Sequence, residues 1–222
     1  MTRLIWNQTG DRLYETGVDH GVLYPRLGPG VPWNGLVSVS ENASGGEVES
    51  LYFDGVKYLD LVANEDFEAT LDALSAPPEF ASCDGSKALS PGLFATQQPR
   101  STFGLSYRTL IGNDLDDISH GYKLHIVYNA VTSPASRDYK TTNSSPEPNV
   151  RQWTINTVPP PANTHKPTAH FVIDSTLVDP YMLADVESFL YGHDGQDPIL
   201  LLQSEVIEIL ANRIIEPLIE TI

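Results

Sequence analysis

The chain is poor in cysteine, in positive charge and in long apolar runs. Cys83 is the only cysteine in 222 residues, which excludes an internal disulfide and a thiolate set for zinc. Only 13 Lys and Arg face 29 Asp and Glu, a formal net charge of −16. So few bases cannot supply the clustered cations by which proteins neutralise a phosphate backbone or an anionic lipid surface. The run ILLL at 199–202 is far too short to span a bilayer, and MTRLIWNQTG has no apolar stretch of a secretion signal. Neither a membrane nor a sequence-specific nucleic acid partner is therefore expected. Charged residues make up only 19%, below the usual quarter, so the surface must lean on Ser, Thr, Asn and Gln.

The chain does hold enough apolar residues for a core, 41%, together with 16 Gly and 17 Pro. Frequent turn residues favour a β-rich fold over a helical bundle. Residues 1–17 read as an arm. A strand follows at about 18–24, then a Gly/Pro loop, then NGLVSVSE as a second strand. In that strand Leu36, Ser38 and Ser40 alternate with Val37, Val39 and Glu41, and either set could face the core. Asp54-Gly55 separates two β-rich runs, which predicts a tight hairpin of strands at 48–53 and 56–62. FEATLDALS reads as a strand with Phe67, Ala69, Leu71 and Ala73 inward and Glu68, Thr70 and Asp72 outward. A loop with a short strand inside follows. Alternation over 103–111 and 122–129 then predicts a long hairpin joined by about ten residues. Arg108 and His125 are expected opposite each other on it. RQWTINTV and TAHFVIDST are the last strands. Asp179-Pro180 is a helix start, with Asp as cap and Pro at the first position, where its missing N–H is harmless. Leu183, Val186 and Leu190 share one face, and Gly192 ends the helix. A second helix, capped by Ser204, carries Val206, Ile207, Leu210 and Ile214 at helical spacing until Pro217.

Motifs of chemistry are sparse. Asp114, Asp116, Asp117 and His120 crowd one turn but lack the spacing of a calcium loop, and acids are common in solvated turns. The six histidines, 20, 120, 125, 165, 170 and 193, form no HxH or HExxH pair, so each reads as structural or surface. Cys83 has no basic partner fixed by the sequence. FGLSY is not the GxSxG elbow, and Gly28 and Gly30 lack the order of a dinucleotide site. The expectation is a protein that is not an enzyme, with no catalytic, cofactor-binding or metal-binding residues.

Several segments together carry a resemblance: MTRLIWNQTGDRLYETGVDHGVLYP, VPWNGLVSVSE, LYFDGVKYLDL, FEATLDALSAPPEFASCDGS, FGLSYRTLIGND, GYKLHIVYNA and KPTAHFVIDST. In order and spacing the chain resembles the major tail protein, or tail tube protein, of long non-contractile-tailed bacteriophages, particularly those of actinobacterial hosts. The resemblance implies a mainly β fold: a tail-tube β-sandwich or barrel with a flanking helix, an extended N-terminal arm and a short C-terminal helical tail. The division it suggests is an arm at 1–17, a tube domain at 18–202 with its helix at about 180–190, and an extension at 203–222. Some relatives carry a further immunoglobulin-like domain, for which the last segment is too short.

What the resemblance implies about function is equally specific. Subunits would close into six-fold rings that stack head to tail into a tube. The channel would hold the tape-measure protein and conduct DNA during ejection without sequence-specific binding. Tail terminator and distal tail proteins would be the other partners. The place would be the virion tail, after assembly in the host cytoplasm. No cofactor is implied. Subunit-interface candidates are Trp6, Tyr14, Tyr139, Ile207, Leu210 and Ile214, and channel-facing candidates are Glu68, Thr70 and Asp72. The −16 charge fits a channel wall that does not trap a polyanion. Two other functions compete: a carbohydrate- or receptor-binding β module of the virion, and an acid-based hydrolase.

Overall fold

The computed structural model describes residues 3–135, 137, 139, 141 and 148–211, with the side chain of Ala43 left aside. Strands form where apolar residues alternate: β1 Tyr14–Pro25, β2 Val31–Pro32, β3 Leu36–Gly45, β4 Val48–Phe53, β5 Val56–Val62, β6 Glu65–Ala73, β7 Lys87–Ser90, β8 Leu93–Ala95, β9 Phe103–Asn113, β10 Asp117–Thr132, β11 Arg151–Thr157 and β12 His170–Asp174. The helices are α1 Pro180–Tyr191 and α2 Gln203–Ala211, after a 3-10 turn at Pro78–Ser82. The chain is thus a mainly β-sheet domain with a few short helices.

Eight strands form one sheet in the order β2-β1-β9-β10-β11-β6-β3, with β12 also on β10. The branch lies within β10. Lys123–Val127 pair with β12, and Ala130–Thr132 pair with β11. Between these segments Asn129 sits at φ 50 and the register against β9 shifts, as at a bulge that bends a strand. Beyond the bend the sheet turns back over itself. Ala69, Leu71, Trp153 and Ile155 of the returning strands pack on Leu23, Leu105, Tyr107 and Val127. The inward set on β6 is the one its alternation predicts, with Ala69, Leu71 and Ala73 fully buried. Among the described residues no sheet closes into a barrel.

The other face of β1, β9 and β10 carries the helices. Val22, Tyr24, Leu124, Ile126 and Ile173 meet Leu183, Val186 and Leu190 of α1 and Val206 of α2. Asp179 accepts the Tyr181 N–H at 2.8 Å, as its capping role requires. The Tyr24 hydroxyl donates to Leu190 O at 2.8 Å and lies 3.1 Å from Ser106 Oγ, tying β1 to the last turn of α1. Gly104 lets this packing close, since a Cβ there would come 2.3 Å from Leu200 Cδ2. At α2 the capping differs from expectation. Ser204 is inside the helix, and Glu205 reaches back to the Leu202 N–H at 2.7 Å, the return half of a capping box. Val206 is buried and Leu210 partly buried against the chain's own helical core. Residues 212–222, including Ile214, lie outside the described residues, as do 136, 138, 140 and 142–147 of the polar loop.

Three further departures have local causes. β9 and β10 run on to Asn113 and from Asp117, so the predicted ten-residue connection is a short turn beside a register shift. The loop after the 3-10 turn forms a small hairpin, β7–β8. Arg108 stands opposite Leu124, while His125 stands opposite Tyr107. Arg108 and His125 therefore face opposite sides of the sheet, because one register step flips every side chain. The β4–β5 hairpin turns at Asp54 and Gly55, with φ of 49 and 76, the doubly left-handed turn expected. It is a separate two-stranded sheet.

Candidate metal and catalytic site

A register shift between Leu36 and Ser38 decides which side of β3 faces in. After it Val39 pairs with Leu71 and Glu41 with Ala69, the buried set of β6. An acid thus occupies a core-facing position of an edge strand. Opposite it, His125 of β10 shares the face of its partner Tyr107, and His170 of β12 shares the face of Val127. The backward fold of the sheet brings the three side chains together.

The contacts are close. His125 Nδ1 lies 3.1 Å from Glu41 Oε1 and 3.1 Å from His170 Nε2. His170 Nδ1 is 4.0 Å from Glu41 Oε2. The Tyr107 hydroxyl donates to Glu41 Oε1 at 2.6 Å, and Thr109 Oγ1 is 3.0 Å from His125 Nε2. Rings wall the cluster: Tyr107 lies against His125 at 4.6 Å between centroids, and Phe67 against His170 at 4.2 Å. The side chains of His125 and His170 are 7% and 12% exposed, while Glu41 is 39% exposed, so the cluster opens to solvent on its carboxylate side.

The hydrogen bond with His125 outweighs burial at Glu41 and, with the Tyr107 hydroxyl and the two imidazole charges, holds its carboxyl at about 2. Burial pulls His170 down to about 4 against the attraction of Glu41 and with the repulsion of His125. Burial, then the bond to Glu41, pushes the Tyr107 phenol up. At neutral pH Glu41 is therefore an anion beside a neutral His170. So acidic a carboxylate is a weak general base and a good ligand.

This arrangement corrects the expectation that the chain is not an enzyme and has no metal-ligating set. Glu41, His125 and His170 offer donor atoms all within 4.8 Å of one another, able to coordinate a metal ion and consistent with a catalytic site. From the sequence the two histidines read as structural, because their partners come from other strands, and Glu41 has no role. The signal available in the sequence was a titratable residue at a core-facing step of each alternating run.

The other singled-out residues do not join this site. Asp114 accepts the Gly10 N–H at 2.9 Å and lies 3.6 Å from Arg12, while Asp116 meets His120 at 3.2 Å. The Asp114 contacts lace the turn to the N-terminal arm. Cys83 is fully buried, and burial pushes its thiol up, away from nucleophilic use. Trp6 and Tyr139 are strongly exposed, 75% and 76%, Tyr14 less so, and Ile207 is half-buried on α2. Glu68, Thr70 and Asp72 lie on the outer face of β6. Across the strands they align as Asn42–Glu68–Asn156, Ser40–Thr70–Thr154 and Ser38–Asp72–Gln152. Asp72 accepts from Ser38 at 2.8 Å and from Gln152 at 2.9 Å.

Compared with models of known families and with curated proteins, the chain matches none.

Proposed function

We propose that the chain is a structural subunit of a bacteriophage virion, the tail tube protein of a long non-contractile tail, whose rings stack into a channel for the tape-measure protein and for DNA. The observation that carries this reading is the β4–β5 hairpin. Every residue of β5 is exposed, and Tyr52, Phe53, Val56, Tyr58 and Val62 are each more than 60% exposed. An isolated two-stranded hairpin is marginal in water, and this one presents apolar side chains that a neighbouring subunit would cover. Leu4, Ile5, Trp6 and Leu13 on the arm offer a second such surface. The outer face of β11, β6 and β3 supports a channel wall, because its aligned rows are polar and contain Glu68 and Asp72 but no base. Under this reading the fold is a tail-tube β-sandwich that completes a barrel only between subunits.

Negative-stain electron microscopy of the purified chain over a range of concentrations tests the proposal. Rings or tubes with a central hole are the expected outcome. Closed dimers at every concentration would overturn it.

A second reading, hydrolysis, is favoured by the Glu41, His125 and His170 cluster, the more specific of the two observations in chemical terms. With Glu41 so acidic, an acid-based hydrolase would depend on a water activated at that cluster rather than on the carboxylate alone.

A further inference from the structure

We propose that Glu41, His125 and His170 bind one divalent transition-metal ion of the zinc class, with the fourth position open to water on the Glu41 side. The inference rests on the cluster and not on the tube reading. In a tetrahedral zinc site, metal–ligand distances of about 2.0–2.1 Å put donor atoms roughly 3.3 Å apart. The His125 Nδ1 separations, 3.1 Å to His170 Nε2 and 3.1 Å to Glu41 Oε1, are already near that edge length. Without metal, hydrogen bonds hold these atoms together, and an ion would replace them with small rotations of the side chains.

The surroundings fit a ligand set. Metal-bound histidines are oriented through their second nitrogen and ligating carboxylates by hydrogen-bond donors. Thr109 Oγ1 stands by His125 Nε2 and can accept an N–H there when the Nδ1 lone pair faces the ion. Tyr107 donates to Glu41 and fixes that carboxylate. Two imidazoles favour zinc, cobalt, nickel or copper over calcium and magnesium, which prefer oxygen. Three protein ligands and a half-exposed carboxylate leave a coordination position facing solvent, the pattern of zinc sites that activate water rather than of closed structural ones. The donors come from β3, β10 and β12, so the ion would also fasten edge strand β3 to the layer it covers.

The test uses the full chain, free of any tag and stripped by chelator, titrated with cobalt(II) and followed by visible absorption. Zinc(II) is then added to displace the cobalt. One ion per chain with the intense bands of tetrahedral cobalt is expected. His170→Gln and His125→Gln should weaken binding about 100-fold or more, and Tyr107→Phe, which keeps all three ligands, about 10-fold. Glu41→Gln, at the solvent-facing position, serves as the variant least exposed to folding defects. Circular dichroism without metal separates lost ligands from lost fold. Absence of one-to-one binding in the parent chain overturns the proposal. So does equal binding by parent and folded Glu41→Gln and His170→Gln, which would assign the ion to surface histidines such as His20 or His120.

Discussion

Asp19, on the helix-facing side of β1, links one residue's charge to stability. Arg108 donates to it from Nε at 2.9 Å and from Nη2 at 3.0 Å. Burial raises the Asp19 pKa, but the Arg108 bonds and charge, with a smaller part from His20, outweigh burial and hold it below the usual 3.8. A carboxyl whose folded pKa is depressed stabilises the fold above its unfolded pKa. That contribution is lost as pH falls from about 3.8 through the lower folded value. The pair is partly solvated, so its worth is on the order of 1 kcal/mol. Asp19→Asn should cost that much at pH 6, and the gap between variant and parent should close as the pH falls below about 3.8. Urea melts across pH 2–6 would show it, and a gap independent of pH would refute the assignment. At this scale the sequence was least informative. His125 and His170 are 45 residues apart, and Tyr107 and Glu41 66 apart. Their meeting depends on a bulge at Asn129 and a register shift in β3, and neither leaves a local mark in composition.

Elements were far more legible, because their causes are local. The Asp54-Gly55 turn needs two left-handed residues and the chain supplies the pair that adopts them. The inward face of β6 follows from strict alternation. Helix α1 combines an Asp cap, a Pro at its first position, one apolar face and Gly192 at φ 76 beyond its end. Asp179→Ala should therefore cost about 1 kcal/mol. For a domain of this size that is a fall of about 2–4 °C in Tm, read by circular dichroism. Asp179→Asn, which keeps an acceptor, should restore most of it. No loss in the alanine variant would mean that packing of Leu183, Val186 and Leu190 alone fixes the helix start. Where element reading missed, two devices were locally equivalent. Ser204 and Glu205 both suit the start of α2, and burial of Leu201 in the helical core leaves the exposed Leu202 as the cap, which puts Glu205 at the residue that can reach back.

The whole molecule presents three surfaces with different demands. The helical face is satisfied within the chain. The outer face of β11, β6 and β3 is polar, with hydrogen bonds such as Asp72 to Gln152 and Ser38, and needs no partner. The β4–β5 hairpin differs: Phe53 and Tyr58 meet edge to face at 5.2 Å, yet stay 63% and 70% exposed. Folding of the domain does not depend on covering them, whereas assembly through this hairpin would. Substituting both by Asp tests that difference. Exposed substitutions away from core and caps usually change stability by no more than about 0.5 kcal/mol, so the variant should melt close to the parent. Introduced charge would at the same time have to be desolvated at any contact made by the hairpin, which opposes association. The expected pair of results is an unchanged melt and loss of rings or tubes in sedimentation and microscopy. Loss of the melt would make the hairpin part of the fold. Assembly that persists in the folded double variant would move the contact to the arm, where Trp6, Ile5 and Leu4 would be the next residues to change.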